Sequence, residues 1–215
     1  NGITLGDQSG LSISSAGDVN GDGLDDLIIG APEATIFENS QAGASYVVFG
    51  KKDGTAVELS AIETSNSGFV INGSTTSEMS GLSVSGAGDI NGDGIDDLII
   101  GAYRASNGDI SMAGESFVVF GKADNIPVNL SAVETGIGGF VIKGVSAYDF
   151  SGYSVSGAGD VNGDGFDDLI IGANGDDPNA SNSGASFVVF GKTDGTAIEL
   201  SAIEGGDNAG GFVIN

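Results

Sequence analysis

The sequence predicts an all-β protein assembled from three copies of one four-stranded unit. Three observations carry that expectation. The chain repeats itself: Asp18, Asp89 and Asp160 lie 71 and 71 residues apart, and Phe69, Phe140 and Phe212 lie 71 and 72 apart. Short runs rich in Val, Ile and Phe alternate with clusters of Gly, Ser, Asn and Asp, the pattern of strands and turns. The 39 glycines recur at fixed places between those runs, and three prolines are too few for a collagen-like or Pro-rich chain. The repeats divide the 215 residues into units 1–71, 72–142 and 143–215.

Each unit reads as four strands. The first is "GLSISSAG" (Gly10–Gly17), "GLSVSGAG" (Gly81–Gly88) or "GYSVSGAG" (Gly152–Gly159). Its apolar residues alternate with Ser or Gly, the period of a half-buried strand, and its small residues permit close packing near an axis. The second is "DLIIGA", starting at Asp26, Asp97 and Asp168, a continuous apolar run that predicts burial on both faces. The third, "ASYVVFG" or "SFVVFG", is rich in β-formers; the fourth is "GFVI". Between them, Leu59–Glu63, Leu130–Glu134 and Leu200–Glu204 predict a short turn or one helical turn. Four strands repeated radially make a β-propeller blade. A β-solenoid coil is shorter, about 20–30 residues, so blades are the better fit.

The first and second strands are joined by Asp-x-Asn-Gly-Asp-Gly-x-Asp-Asp. Counting from its first Asp, positions 1, 3, 5, 7 and 9 are Asp18, Asn20, Asp22, Leu24 and Asp26 in the first loop. They are Asp89, Asn91, Asp93, Ile95 and Asp97 in the second, and Asp160, Asn162, Asp164, Phe166 and Asp168 in the third. Side-chain oxygens at 1, 3, 5 and 9, with a backbone carbonyl at 7, can wrap one hard cation. Calcium takes 6–8 oxygens and tolerates irregular geometry, whereas magnesium demands a near-ideal octahedron. The expectation is therefore three Ca2+, one per repeat. An EF-hand is excluded, because position 12 is Ile29, Ile100 or Ile171 and a strand, not a helix, follows. Asp25, Asp96 and Asp167 at position 8 are expected to point outward or to support the ligands from behind.

The segment Ser151–Ala173, "SGYSVSGAGDVNGDGFDDLIIGA", resembles an FG-GAP repeat, the blade unit of the integrin α-subunit propeller and of many bacterial surface proteins. The resemblance covers all three repeats. It implies calcium in the hairpin between the first two strands of each blade, and an extracellular adhesion or ligand-binding role. The Phe of the "FG" pair is replaced by Ser9, Ser80 and Ser151, and only the first repeat has a full Gly30-Ala31-Pro32. Family propellers close with about seven blades, so three leave the ring open. The expectation is completion by a homodimer of six blades, or by neighbouring blades of a longer chain.

Composition narrows the function. Thirty acids against six bases give a net charge of −24, a surface that repels nucleic acid and anionic membranes. Twelve of the acids sit in the three loops, and three divalent ions would bring the net charge to −18. Cysteine and histidine are absent, which excludes disulfides, thiolate and imidazole metal sites and a Ser-His-Asp triad. No apolar run approaches the ~20 residues of a membrane helix.

Specificity is expected where the repeats differ. The connections between second and third strands (Pro32–Gly43, Tyr103–Gly114, Asn174–Gly184) and those preceding the first strand fall on the face opposite the loops. Phe37, Tyr103, Arg104 and Tyr148 are the candidate contacts there for a protein or glycan. A non-enzymatic, calcium-stabilised module of a secreted or surface protein, bacterial in character, is the reading these features favour. A structural spacer is the alternative. An accessory part of a hydrolase is remoter, since the acid pair Asp176–Asp177 occurs in one repeat only.

Overall fold

The structure is a computed structural model that describes residues 5–177, 183–206 and 210–215. Three antiparallel meanders follow one another along the chain. Blade 1 contains β1 (Ser12–Gly17), β2 (Asp26–Ala31), β3 (Ala44–Val48) and β4 (Gly68–Asn72). Blade 2 contains β5 (Ser83–Gly88), β6 (Asp97–Ala102), β7 (Glu115–Val119), the short β8 (Val128–Asn129) and β9 (Gly139–Lys143). Blade 3 contains β10 (Ser151–Gly159), β11 (Asp168–Ala173), β12 (Ala185–Val189), the short β13 (Ile198–Glu199) and β14 (Gly211–Ile214). The Leu-Ser-Ala segments form short helical turns: a 3-10 turn Leu59–Ala61 followed by Ile62–Ser65 in blade 1, Leu130–Val133 in blade 2 and Leu200–Glu204 in blade 3. The three sheets form no closed ring, as an incomplete propeller requires.

Strands β1, β5 and β10 pack beside one another as the inner strands. Antiparallel order puts the hairpins after them on one end of every blade, and the connections after the second and fourth strands on the opposite end. Their small residues let neighbouring blades nearly touch: a Cβ on Gly86 would lie 2.9 Å from the Ser15 carbonyl oxygen. The core lies between blades. Phe69 and Ile71 of blade 1 pack with Val84, Leu98 and Phe117 of blade 2. Phe140 and Ile142 of blade 2 pack in the same way with Leu169 and Phe187 of blade 3. Each fully buried side chain of this size stabilises by roughly 1.5–3 kcal/mol. The "DLIIGA" strand is buried on both faces throughout only in blade 2; at the outer flank of blade 1, Leu27 is exposed.

The sequence did not announce β8 and β13. Val128–Asn129 runs parallel to Ile71–Asn72, so blade 2 adds a fifth strand to the sheet of blade 1. Ile198–Glu199 does the same for blade 2, against Ile142–Lys143. Two residues are too short to show a strand period, and the partner lies in another repeat.

Candidate metal centre

The hairpin loops are built by side chains turned on their own backbone. In the first, the Asp22 N–H donates to Asp18 Oδ1 (3.0 Å) and to Asn20 Oδ1 (2.8 Å), and the Gly23 N–H donates to Asp18 Oδ2 (2.8 Å). The Leu24 N–H donates to Asp22 Oδ1 at 2.9 Å. The second loop repeats these bonds among Asp89, Asn91, Asp93 and Ile95, and the third among Asp160, Asn162, Asp164 and Phe166. Such Asx turns require tight backbone at position 6, and Gly23, Gly94 and Gly165 sit there at φ 86°, 87° and 95°. The side chains at positions 1 and 3 thus converge on the N–H of position 5.

Position 9 opens the next strand and is fully buried in all three repeats. Asp97 accepts from the Ile90 N–H (3.1 Å) at the loop and from the Gly121 N–H (2.8 Å) at the end of β7. Asp26 and Asp168 bracket Val19 with Gly50 and Val161 with Gly191 in the same way. Position 9 therefore ties the loop to the blade. Burial pushes the Asp26 carboxyl up to about 6, with its two backbone bonds opposing and the Asp22 and Asp18 charges adding to the rise. Burial likewise carries Asp97 to about 7, with Asp93 and Asp89 adding. The like charges at positions 1 and 5 are thus close enough to disfavour a third carboxylate.

Position 8 takes both expected forms. Asp25 is exposed, whereas Asp96 backs a ligand residue of the preceding blade: its Oδ2 accepts from the Asp18 N–H at 2.7 Å, and the Asp96 N–H donates back to the Asp18 carbonyl at 3.3 Å. Asp167 binds Asp89 in the same way, at 2.9 and 3.2 Å. Glycine precedes the first two loops for this reason, since a Cβ on Gly17 would lie 2.1 Å from Asp96 Oδ2 and one on Gly88 2.0 Å from Asp167 Oδ2. Position 7 also reaches across, for the Phe166 ring lies against Gly92 of the neighbouring loop.

The donor chemistry is that of a hard cation: oxygen only, with three acids and one amide within nine residues. A carboxylate offers about four acceptor sites, so those already bonded to N–H groups keep lone pairs for a metal. Among the described residues, no three acidic side chains by themselves form a metal-holding cluster.

Comparison with known proteins places this architecture. The FG-GAP repeat profile matches residues 9–48, 80–119 and 151–189, more than half of the chain. The chain belongs to the FG-GAP repeat family. A phosphatidylinositol-glycan-specific phospholipase D of Dictyostelium discoideum is 30% identical over 161 residues, 73% of this chain and 17% of that protein. Integrin alpha pat-2 of Caenorhabditis elegans is 30% identical over 115 residues, 54% of this chain and 9% of that protein. The FG-GAP chain spans less than a fifth of the length of either relative. Among its described residues, no helix is long and apolar enough to cross a membrane.

On the opposite face the FG-GAP blades bring together three of the four predicted contact residues. Tyr103 packs edge-on to Tyr153 (5.4 Å between ring centres) and beside Phe150 (6.0 Å), Arg104 lies 5.2 Å over the Tyr103 ring, and Tyr148 meets Phe150. Phe37 stands apart on blade 1, exposed beside a groove with Ile36, Ile126 and Pro127. Part of the third variable connection, residues 178–182, lies outside the described residues. Sequence reading missed Phe150 and Tyr153, which complete the aromatic cluster.

It also missed Glu115. That residue begins β7 where the other repeats have Ala44 and Ala185, and it lines a cavity of about 470 Å3 with Glu78, Arg104, Glu134 and Lys143. Burial pushes its carboxyl up to about 8; Glu134, Glu78 and Glu199 add to the rise and Lys143 opposes it. The folded protein then holds a proton that the unfolded chain releases near 4.5. Stability conferred by that proton is complete below about pH 4.5 and is lost as pH rises towards 8. Glu115→Gln is expected to abolish this loss and to stabilise the protein at pH 8 by on the order of 2 kcal/mol, read from urea unfolding at pH 5 and pH 8. An equal pH dependence in the variant would contradict the assignment.

Proposed function

We infer that this FG-GAP chain is a calcium-stabilised β-propeller module of an extracellular or surface protein, used for adhesion or ligand binding and not for catalysis. One observation carries the calcium reading. Three loops present the same oxygen set, each anchored by a buried carboxylate at position 9. In the first two, that carboxylate is held against neighbouring like charges that a divalent cation would relieve. Asp18, Asn20, Asp22, the Leu24 carbonyl and Asp26 would hold the first ion. The corresponding residues from Asp89 to Asp97 and from Asp160 to Asp168 would hold the other two. The ion would supply charge neutralisation and loop order.

Near-identical loops cannot discriminate among ligands, so recognition belongs to the opposite face, where Tyr103, Arg104, Tyr148 and Phe150 converge. The names of the integrin relatives support adhesion and an extracellular setting. The absence of His and Cys, and the confinement of Asp176–Asp177 to one repeat, speak against an active centre. Near-identity of the blades keeps a plain structural spacer as the second reading. Calorimetric titration of the metal-stripped protein with Ca2+ should give three sites, with little heat from Mg2+. Absence of calcium heat would sink the metal reading. Glycan and protein arrays probed with and without calcium then separate ligand binding from a spacer.

A further inference from the structure

The cavity of about 470 Å3 on blade 2 has a carboxyl group at its wall that no neighbour satisfies. Glu115 is only 6% exposed, and no described residue hydrogen-bonds or ion-pairs its side chain. The two bases that share the cavity are turned to other partners. Lys143 Nζ lies 3.9 Å from Glu199, and the Arg104 guanidinium lies over the Tyr103 ring. Burying an unpaired carboxyl costs stability, and the blade does not need one there, since Ala44 and Ala185 fill the same position in blades 1 and 3.

The rest of the cavity is prepared around this group. Ser74 Oγ lies 3.1 Å from both carboxylate oxygens of Glu78 and 3.0 Å from Glu134 Oε1, which holds those two acids in place. Every wall residue except Gly108 is polar or charged, with hydroxyls from Thr76 and Ser106 among them. The walls come from residues 75–143, so they are complete within the middle of the chain. The volume falls within the roughly 300–1,000 Å3 of small-molecule sites. Among the described residues, no three acids approach closely enough to hold a metal ion. A cation that fits here is therefore larger than a metal, and a wall of hydroxyls suits a guest that carries hydroxyls of its own.

We propose that this cavity binds a small hydroxylated primary amine, the chemistry of an amino sugar with a free amino group. The proposal rests on the reading of the face opposite the metal loops as the recognition face. The ammonium pairs with Glu115, and Glu78 and Glu134 add the negative potential that draws it in. Thr76, Ser106 and Arg104 meet the hydroxyls. A neutral sugar lacks the charge, and acetylation of the amine removes it. Burial holds a proton on Glu115 up to about 8, with Glu134, Glu78 and Glu199 reinforcing this and Lys143 opposing it. Arrival of the ammonium replaces that proton.

The test is calorimetric titration of the calcium-loaded chain with glucosamine, in amine-free buffer. One site per chain is expected. Glucose and N-acetylglucosamine should bind more weakly by on the order of tenfold or greater, the worth of a charge-assisted hydrogen bond. At pH 6.5, heats in two buffers of different ionisation enthalpy should report release of about one proton per amine bound. Glu115→Ala installs the residue of blades 1 and 3, so it should keep the circular dichroism spectrum and lose the site. Glu38→Ala, which removes an exposed acid of blade 1, should keep the site. Equal affinity for glucose, unchanged binding by Glu115→Ala, or binding without proton release would each overturn the proposal. Absence of glucosamine heat would overturn it too, while leaving recognition at the aromatic cluster to be decided by the arrays.

Discussion

Adding EDTA to the calcium-loaded protein is expected to lower its melting temperature by on the order of 20 °C. A site filled at a hundred times its dissociation constant stabilises the folded state by about 2.7 kcal/mol, and three such sites by about 8. Domains are stable by about 5–15 kcal/mol in all, so the ions would supply much of the total. Each kcal/mol moves the melting point of a chain this size by about 2–4 °C. The physical cause is charge: four acids crowd each loop, and without a cation the buried carboxylates at position 9 meet those at positions 1 and 5 unscreened. Differential scanning calorimetry in calcium and in EDTA checks this, and coincident transitions would remove calcium from the account of stability.

Asp97→Ala is expected to destabilise the protein by on the order of 3–5 kcal/mol even in EDTA. The substitution leaves the Gly121 N–H without its acceptor and the Ile90 N–H with only the Gly88 carbonyl; an unsatisfied buried donor costs about 1–3 kcal/mol, and the truncated, fully buried side chain adds to it. Asp93→Ala is the control. Asp93 is exposed at the crown of the same loop and accepts only from the Ile95 N–H, so in EDTA its removal should cost about 1 kcal/mol or less. In calcium both variants should lose one ion. Urea unfolding of the two in EDTA separates the anchoring role of position 9 from its role as a ligand, and equal destabilisation would mean that the bracket contributes little.

The blades were legible because their signals are local. Alternation in Ser12–Gly17, the apolar run Asp26–Ala31 and the Asx-Gly loop between them each lie within a few residues, and the 71-residue period multiplies them. What the sequence concealed depends on contacts between repeats. Nothing near Asp96 indicates that it turns to Asp18, 78 residues away. Val128 and Ile198 read as loop because their strand partners belong to the preceding blade. Glu115 reads as an ordinary surface acid, and only the packing of Glu78 and Glu134 around it shows its burial. The aromatic cluster was half visible: Tyr103 and Tyr148 stand in variable connections, whereas Tyr153 sits inside a strand whose pattern assigns it to packing.

The hydrogen bond from the Asp18 N–H to Asp96, repeated from Asp89 to Asp167, gives the loops a direction. Each loop start is held by the blade that follows it, so the three sites behave as links with nearest-neighbour coupling, in the manner of repeat arrays. A cation that orders the second loop fixes Asp96 and thereby the start of the first, and one that orders the third fixes Asp167 and the start of the second. Filling one site would then favour order in the site before it.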